Sequence, residues 1–361
     1  MLQLISSLQV GGTERLLVNF VKSCADVPNF SQVVVVMNDR IDSDLASELN
    51  STEVPVYYLN RPQASKNPRY LLALLKIIQN HGISVIHSHN RGSKYWAMLC
   101  RLTMTKLKLV FTFHYTQISM ARWEVYLHNA MIDATIAISQ SVAAEARSLR
   151  LRRVKQIENG IPTADFGSIA LRTSGSRTRI ISVGRLSLEK KGQDILVRAI
   201  KRCVDRGLDV ECTLMGSPAT GDFETLPQLQ TLTSTLQLDD RINFVLGRSD
   251  VATMLGNSDI FVLPSRHEGF GLALVEAMAA GLPVIASDIE GPADILTDGI
   301  DGLLFKSCSE EQLADKIEIL IQSPDLADTL RVNGRTTSAK YDISMMRDKC
   351  IDIYGNLMER E

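Results

Sequence analysis

Two carboxylates with seven residues between them, Glu268 and Glu276, stand in the segment D-I-F-V-L-P-S-R-H-E-G-F-G-L-A-L-V-E-A-M-A-A-G-L-P-V-I-A-S, which runs from Asp259 to Ser287. Gly269, Phe270 and Gly271 lie between them, and the glycines let a ligand come close to the backbone amides. A helix starting there would present the N–H groups of Gly271, Leu272 and Ala273 without intrahelical partners. With the helix dipole behind them, those groups favour a phosphate. A carboxylate one turn further in, Glu276, could accept hydrogen bonds from two adjacent ribose hydroxyls. Taken alone, the same pair also fits a solvated helix acid and a loop acid, so the surroundings decide.

Those surroundings form one strand–loop–helix–strand unit. Ile260–Leu263 is a short apolar run of the kind buried on both faces of a parallel sheet, and Pro264 stops it. Helical spacing runs from Gly271 to Ala280. Gly281 and Pro283 end the helix, and Val284–Ala286 is the next strand. A second chemical loop, G-R-L-S-L-E-K-K-G, follows the strand Ile180–Val183. Arg185 can hold phosphate oxygens bidentately, and Lys190 or Lys191 adds a point charge where a diphosphate leaving group gathers negative charge. Which lysine serves is open; Lys191, next to Gly192, is preferred. In the first half, Gly11-Gly12 precedes a helix from about Thr13, and His114 ends the strand V-F-T-F-H. Gly-Gly alone is not a complete dinucleotide fingerprint and also fits a tight turn. His87 and His89 sit at another strand end and lack an obvious third metal ligand, so structural or acceptor-side roles fit them better.

The stretch E-G-F-G-L-A-L-V-E-A-M-A-A-G-L-P-V-I-A-S resembles the signature segment of the retaining GT-B glycosyltransferases, specifically glycosyltransferase family 4. V-G-G-T-E, G-R-L-S-L-E-K-K-G and I-E-N-G-I-P resemble further segments of the same family. The resemblance implies an α/β protein of GT-B architecture. Two facing Rossmann-like domains would span 1–165 and 166–342, and a C-terminal helix, 343–361, would cross back to the first. It implies a retaining transferase that moves a sugar from a nucleotide-sugar donor, UDP being the commonest carrier, to a saccharide or lipid-linked saccharide. Bacterial family members of this size often build surface polysaccharides. Glu276 would hold the ribose. Arg185 and Lys191 would hold the diphosphate, with the 271–273 amides. Glu268 and His114 would contact the donor sugar, and Gly11 and Gly12 would let backbone approach the diphosphate and the acceptor. No cofactor or metal is expected. The triplet Asp42-Ser43-Asp44 is read as a solvated loop feature. Two other readings fit the architecture, a nucleotide-sugar epimerase and a non-catalytic nucleotide-sugar-binding subunit.

The remaining pattern bounds the answer. At 361 residues the chain exceeds what one core organises. The first half alternates strands (Leu2–Leu8, Val33–Met37, Val54–Tyr58, Ile83–His87, Leu109–Phe113, Thr135–Ile138) with helices, and the second half restarts the alternation. Residues Ala164–Arg179, poor in periodicity, read as a linker. A net charge of −2 gives no pointer to nucleic acid. Six scattered cysteines with no C-x-x-C pair fit reduced, mostly buried thiols in a cytoplasmic protein. The N-terminus enters a strand with no basic region before it, so no signal peptide is expected, and no apolar run reaches the ~20 residues of a membrane span. Two basic stretches, Lys94–Lys108 and Arg147–Lys155, fit packed helices with solvated faces, or peripheral contact with the inner face of an anionic membrane.

Overall fold

The computed structural model describes residues 1–169, 175, 177–219, 221–247 and 250–359. They form two compact units, Met1–Gly160 with Ile343–Glu361, and Ile161–Asp342.

The first unit carries strands β1 (Leu2–Ile5), β2 (Val33–Asn38), β3 (Val56–Arg61), β4 (Val85–Ser88), β5 (Lys108–Phe113), β6 (Ala134–Ala137) and β7 (Val154–Gln156). They pair in parallel in the order β3-β2-β1-β4-β5-β6-β7. β-Branched runs such as Val33–Val36 are wholly buried, as expected when helices cover both faces of a sheet. Leu2–Leu8 was expected as one strand; the ladder ends at Ile5, and Leu8 makes only an isolated bridge to Ile41.

The second unit carries β8 (Thr178–Val183), β9 (Val210–Met215), β10 (Ile242–Val245), β11 (Ile260–Leu263), β12 (Val284–Asp288) and β13 (Leu303–Lys306), in the parallel order β10-β9-β8-β11-β12-β13. Both units are therefore Rossmann-like. In each, the strand order reverses once, between β1 and β4 and between β8 and β11. An open parallel sheet binds ligands outside the carboxyl ends of its strands at such a reversal. The loops after β1 and β4, and those after β8 and β11, are the places to look.

The helix Ile343–Met358 belongs to the first unit. Its Ile343, Met346, Cys350 and Tyr354 form a buried stripe at helical spacing, and Arg347 donates to the Ser23 carbonyl at 2.8 Å. The compact units divide at Gly160, not at Asp165. Part of the expected linker is structured: Thr163–Gly167 is a short helix packed on Leu272–Ala280, and β8 already begins at Thr178. Residues 170–174 and 176 of that linker lie outside the described residues. Five of the six thiols are buried and Cys308 is exposed; all six are free. Among the described residues no helix is long and apolar enough to cross a membrane.

Candidate functional site

In the second unit, the two loops at the strand-order reversal clamp each other. Gly192 takes a left-handed conformation (φ 63°), and a Cβ there would lie 2.2 Å from the Pro264 carbonyl oxygen, so only glycine lets the loops approach this closely. The backbone N–H groups of Arg266 and His267 donate to the Lys190 carbonyl at 2.8 and 3.0 Å. The Arg266 guanidinium grips Asp194 with two bonds, 2.7 and 2.8 Å. Upstream, Ser187 caps the single turn Leu188–Lys191.

This clamp joins two of the residues singled out from sequence. Lys191 Nζ lies 2.5 Å from Glu268 Oε2, and Ser265 Oγ donates to the same oxygen at 3.3 Å. The side chains of Lys191 and Glu268 keep 26% and 13% of their surface, so the pair is mostly shielded yet open on one side. Lys190 is exposed and uses its carbonyl as the clamp; between the two lysines, Lys191 is the one brought to Glu268. Arg185 is exposed at the end of β8, its carbonyl held by Gln193 Nε2 at 3.0 Å.

The helix Leu272–Ala280 begins directly after this cluster. Its cap, Gly271, sits at φ 107°, and no side chain caps it. The helix start therefore faces the loop with backbone N–H groups only. Leu274, Val275 and the 277–280 run are buried, which fixes the helix, whereas Glu276 stays half-buried. A further contact was not singled out from sequence. Gly291 (φ 90°) packs so closely on the E-G-F-G loop that a Cβ would stand 2.7 Å from the Glu268 carbonyl oxygen and 3.1 Å from Phe270 N. Gly216 does the same under the other loop, 2.0 Å from the Gly184 oxygen. The one available signal was Gly291 directly before Pro292, a turn dipeptide.

In the first unit, Gly11 and Gly12 form the start of the helix Gly12–Ser23, with Gly11 as an uncapped extended N-cap. One face of the sheet carries polar side chains in an otherwise apolar interior. Gln3, His87, His89 and Thr112 are all at least nine-tenths buried, and His114 is half-buried beside them. His87 bridges Thr112 Oγ1 (2.7 Å) and the Tyr354 hydroxyl (2.7 Å) on the C-terminal helix. His89 Nε2 meets Gln3 Oε1 at 2.7 Å, and His89 Nδ1 meets His114 Nε2 at 3.3 Å. Burial pushes the His87 and His114 imidazoles down to about 3 and about 4, and His89 well below its ordinary value. All three are neutral at pH 7. His87 has both ring nitrogens engaged, by Thr112 and Tyr354; His89 touches the residue singled out, His114.

Asp42 is the N-cap of the helix Ser43–Asn50, accepting from the backbone N–H groups of Asp44 (3.1 Å) and Leu45 (3.0 Å). The basic stretch Lys94–Lys108 is less basic at its surface than it reads. Lys94 is buried over the Phe111 ring, 4.8 Å from its centroid, and Arg101 is paired with Asp133. In the other stretch Arg147, Arg150, Arg152, Arg153 and Lys155 are all exposed.

Two Rossmann-like domains, one of them presenting an acid–lysine pair, an exposed arginine and a bare helix start at its strand-order reversal, define a two-domain α/β class of fold. Residues 10–165 match Glycosyltransferase Family 4, and residues 170–337 match Glycosyl transferases group 1. The chain belongs to glycosyltransferase family 4 and has the GT-B architecture. It is 28% identical over 293 residues to the phosphatidyl-myo-inositol mannosyltransferase of Propionibacterium freudenreichii (78% of this chain, 73% of that protein). It is 28% identical over 228 residues to the lipopolysaccharide core biosynthesis glycosyltransferase LpsD of Rhizobium meliloti (62% and 64%). With some curated relatives the match spans less than half of their length: it covers 46% of the alpha-D-kanosaminyltransferase of Streptomyces kanamyceticus, at 28% identity over 50% of this chain. Among solved structures, Anabaena Alr3699/HepE in complex with UDP and glucose is similar in fold, with a TM-score of 0.84 and 21% identity over 98% of this chain and 99% of that one. A glycosyltransferase from Rickettsia africae gives a TM-score of 0.86 at 20% identity, over 100% and 99%.

Proposed function

We propose that the chain is a retaining glycosyltransferase that takes a nucleotide sugar, with UDP as the carrier, and transfers the sugar to a saccharide or lipid-linked saccharide of a bacterial surface polysaccharide. The observation that carries this reading is the Lys191–Glu268 pair, held 2.5 Å apart by the two loops at the strand-order reversal and placed directly before an uncapped helix start. The UDP complex of the similar Anabaena fold and the names of the glycolipid and lipopolysaccharide relatives support the donor and acceptor classes.

Arg185, Lys191 and the N–H groups at 271–273 receive the diphosphate, and Glu276 accepts from the ribose hydroxyls. As the glycosidic bond breaks, charge accumulates on the leaving phosphate, where fixed cations and the helix dipole lower the barrier. Glu268, paired with Lys191 and accepting from the Ser265 hydroxyl, and His114 contact the donor sugar. The acceptor hydroxyl attacks from the face the diphosphate leaves and gives its proton to the departing phosphate, so configuration is retained. In this reading positive side chains and backbone do the work of charge stabilisation, and Asp42 has its capping role instead of a metal-binding one. The exposed cations at 147–155 support peripheral contact with an anionic membrane face.

The test is nucleotide release from UDP-glucose, UDP-N-acetylglucosamine and GDP-mannose, with and without a polyprenyl-diphosphate-linked saccharide. Acceptor-dependent release supports transfer. Conversion of the donor to an epimer without acceptor would make the protein an isomerase, and binding without release would make it a carrier subunit.

A further inference from the structure

Parallel strands covered on both faces are ordinarily apolar throughout. Here Gln3, His87, His89 and Thr112 interrupt that rule on one face, and the interruption leads to His114. A buried polar chain is costly unless every member has a partner. In this chain the last atom lacks one: His114 Nδ1 is buried and has no hydrogen-bond partner among the described residues.

The direction of the hydrogen bonds can be followed from one end. The Gln3 amide nitrogen faces Met1 Sδ at 3.8 Å. The amide oxygen is thus left for His89 Nε2, at 2.7 Å. An oxygen acceptor requires His89 to carry its proton on Nε2. Being neutral, His89 then offers a bare lone pair at Nδ1, 3.3 Å from His114 Nε2. That lone pair requires a proton on His114 Nε2, and the neutral His114 ring is left with a bare Nδ1.

We propose that Gln3 and His89 are positioning residues that hold His114 as its Nε2-protonated tautomer, so that Nδ1 stands as an unpartnered acceptor for a hydroxyl of the bound sugar. The assignment of the ligand as a sugar rests on the function proposed above; the tautomer does not. An unmet buried acceptor is satisfied by a donor group and repelled by another bare acceptor. The sugar position facing His114 therefore takes a neutral hydroxyl and excludes a carboxylate. Neither Gln3 nor His89 needs to touch the sugar to impose this.

Ring ¹⁵N chemical shifts, read through long-range ¹⁵N–¹H correlation on the full chain, separate protonated from unprotonated ring nitrogens. In the wild-type protein without ligand, His114 Nδ1 is expected in the unprotonated class and Nε2 in the protonated class. The reverse tautomer, or an even mixture, overturns the relay whatever the activity. In Gln3→Leu the His114 tautomers are expected to mix, with the donor KM raised about threefold to tenfold, the span of one hydrogen bond, and kcat changed less. An unchanged His114 signature in that variant also overturns it. UDP-glucose, but not UDP alone, is expected to move the Nδ1 resonance while leaving it unprotonated. Acceptor-dependent turnover of UDP-glucose with an unmoved Nδ1 removes the hydroxyl assignment and leaves the functional reading standing. An intact relay with no turnover of any nucleotide sugar removes the functional reading and the hydroxyl assignment with it.

Discussion

Replacing Lys191 with methionine separates a structural ion pair from a catalytic cation. The pair lies between the two limits for such contacts. With side chains 26% and 13% exposed, it should contribute more than an exposed pair and less than the 3–5 kcal/mol lost on breaking a fully buried one. About 1–2 kcal/mol is the resulting expectation for Lys191→Met, because Glu268 keeps only the Ser265 hydroxyl at 3.3 Å. For a unit of the size of Ile161–Asp342, about 2–4 °C per kcal/mol translates this into a fall in Tm of roughly 2–8 °C. Glu268→Gln removes the stranded charge, so the double variant should recover most of that Tm in a thermal scan. Turnover should behave differently. Loss of a cation positioned on the leaving group costs about 10²–10³ in kcat, and the double variant should recover none of it. A double variant that regains both stability and activity, or a Lys191→Met enzyme within about threefold of wild-type turnover, would refute the diphosphate role.

Four further outcomes follow from the geometry. Glu276→Gln, on the helix Leu272–Ala280, should weaken UDP binding about tenfold to a hundredfold in calorimetric titration, the loss of a charged hydrogen bond. Asp42→Ala with Asp44→Ala should cost about 0.5–2 kcal/mol of stability through the lost cap while kcat and resistance to chelation persist; chelation reversed by manganese would overturn this. Gly291→Ala should reduce turnover and stability together, since its Cβ would meet the Glu268 carbonyl at 2.7 Å and its φ of 90° disfavours any side chain. Burial lowers the Lys94 ammonium from 10.5 to about 8, so folding carries a penalty that is complete below about 8 and fades as pH rises toward 10.5. Lys94→Met should therefore be the more stable protein at pH 7, by about 3 kcal/mol at 1.36 kcal/mol per unit, with the difference vanishing by pH 10.5; equal Tm values at pH 7 would contradict it.

What could be read from the sequence was what is local in the chain. The strand, loop and helix around Glu268 and Glu276 carry their own punctuation, so Ile260–Leu263 has the ends expected for it and the helix Leu272–Ala280 starts one residue after the expected Gly271. Residues that act by meeting a distant segment gave no such signal. Gly291 and Gly216 look like ordinary turn glycines until the loops they underlie are in place. Lys94 reads as a surface cation because a short helix segment does not reveal that Phe111 lies beneath it. Gln3 reads as a strand residue, and its tie to His89 spans 86 positions. Which of Lys190 and Lys191 approaches Glu268 was hidden for the same reason: the Lys190 carbonyl accepts from the N–H groups of Arg266 and His267, and it is the Lys191 ammonium that meets Glu268.

The most direct test of glycosyl transfer with retention is the stereochemistry of the product. The full-length protein would be given UDP-glucose labelled in the sugar and a polyprenyl-diphosphate-linked saccharide, and the anomeric ¹H coupling of the labelled product read by NMR. The account predicts label in the acceptor with the anomeric configuration of the donor, and its loss in Arg185→Ala by about 10²–10³. An inverted linkage, or label that leaves the nucleotide without reaching any acceptor, would contradict it.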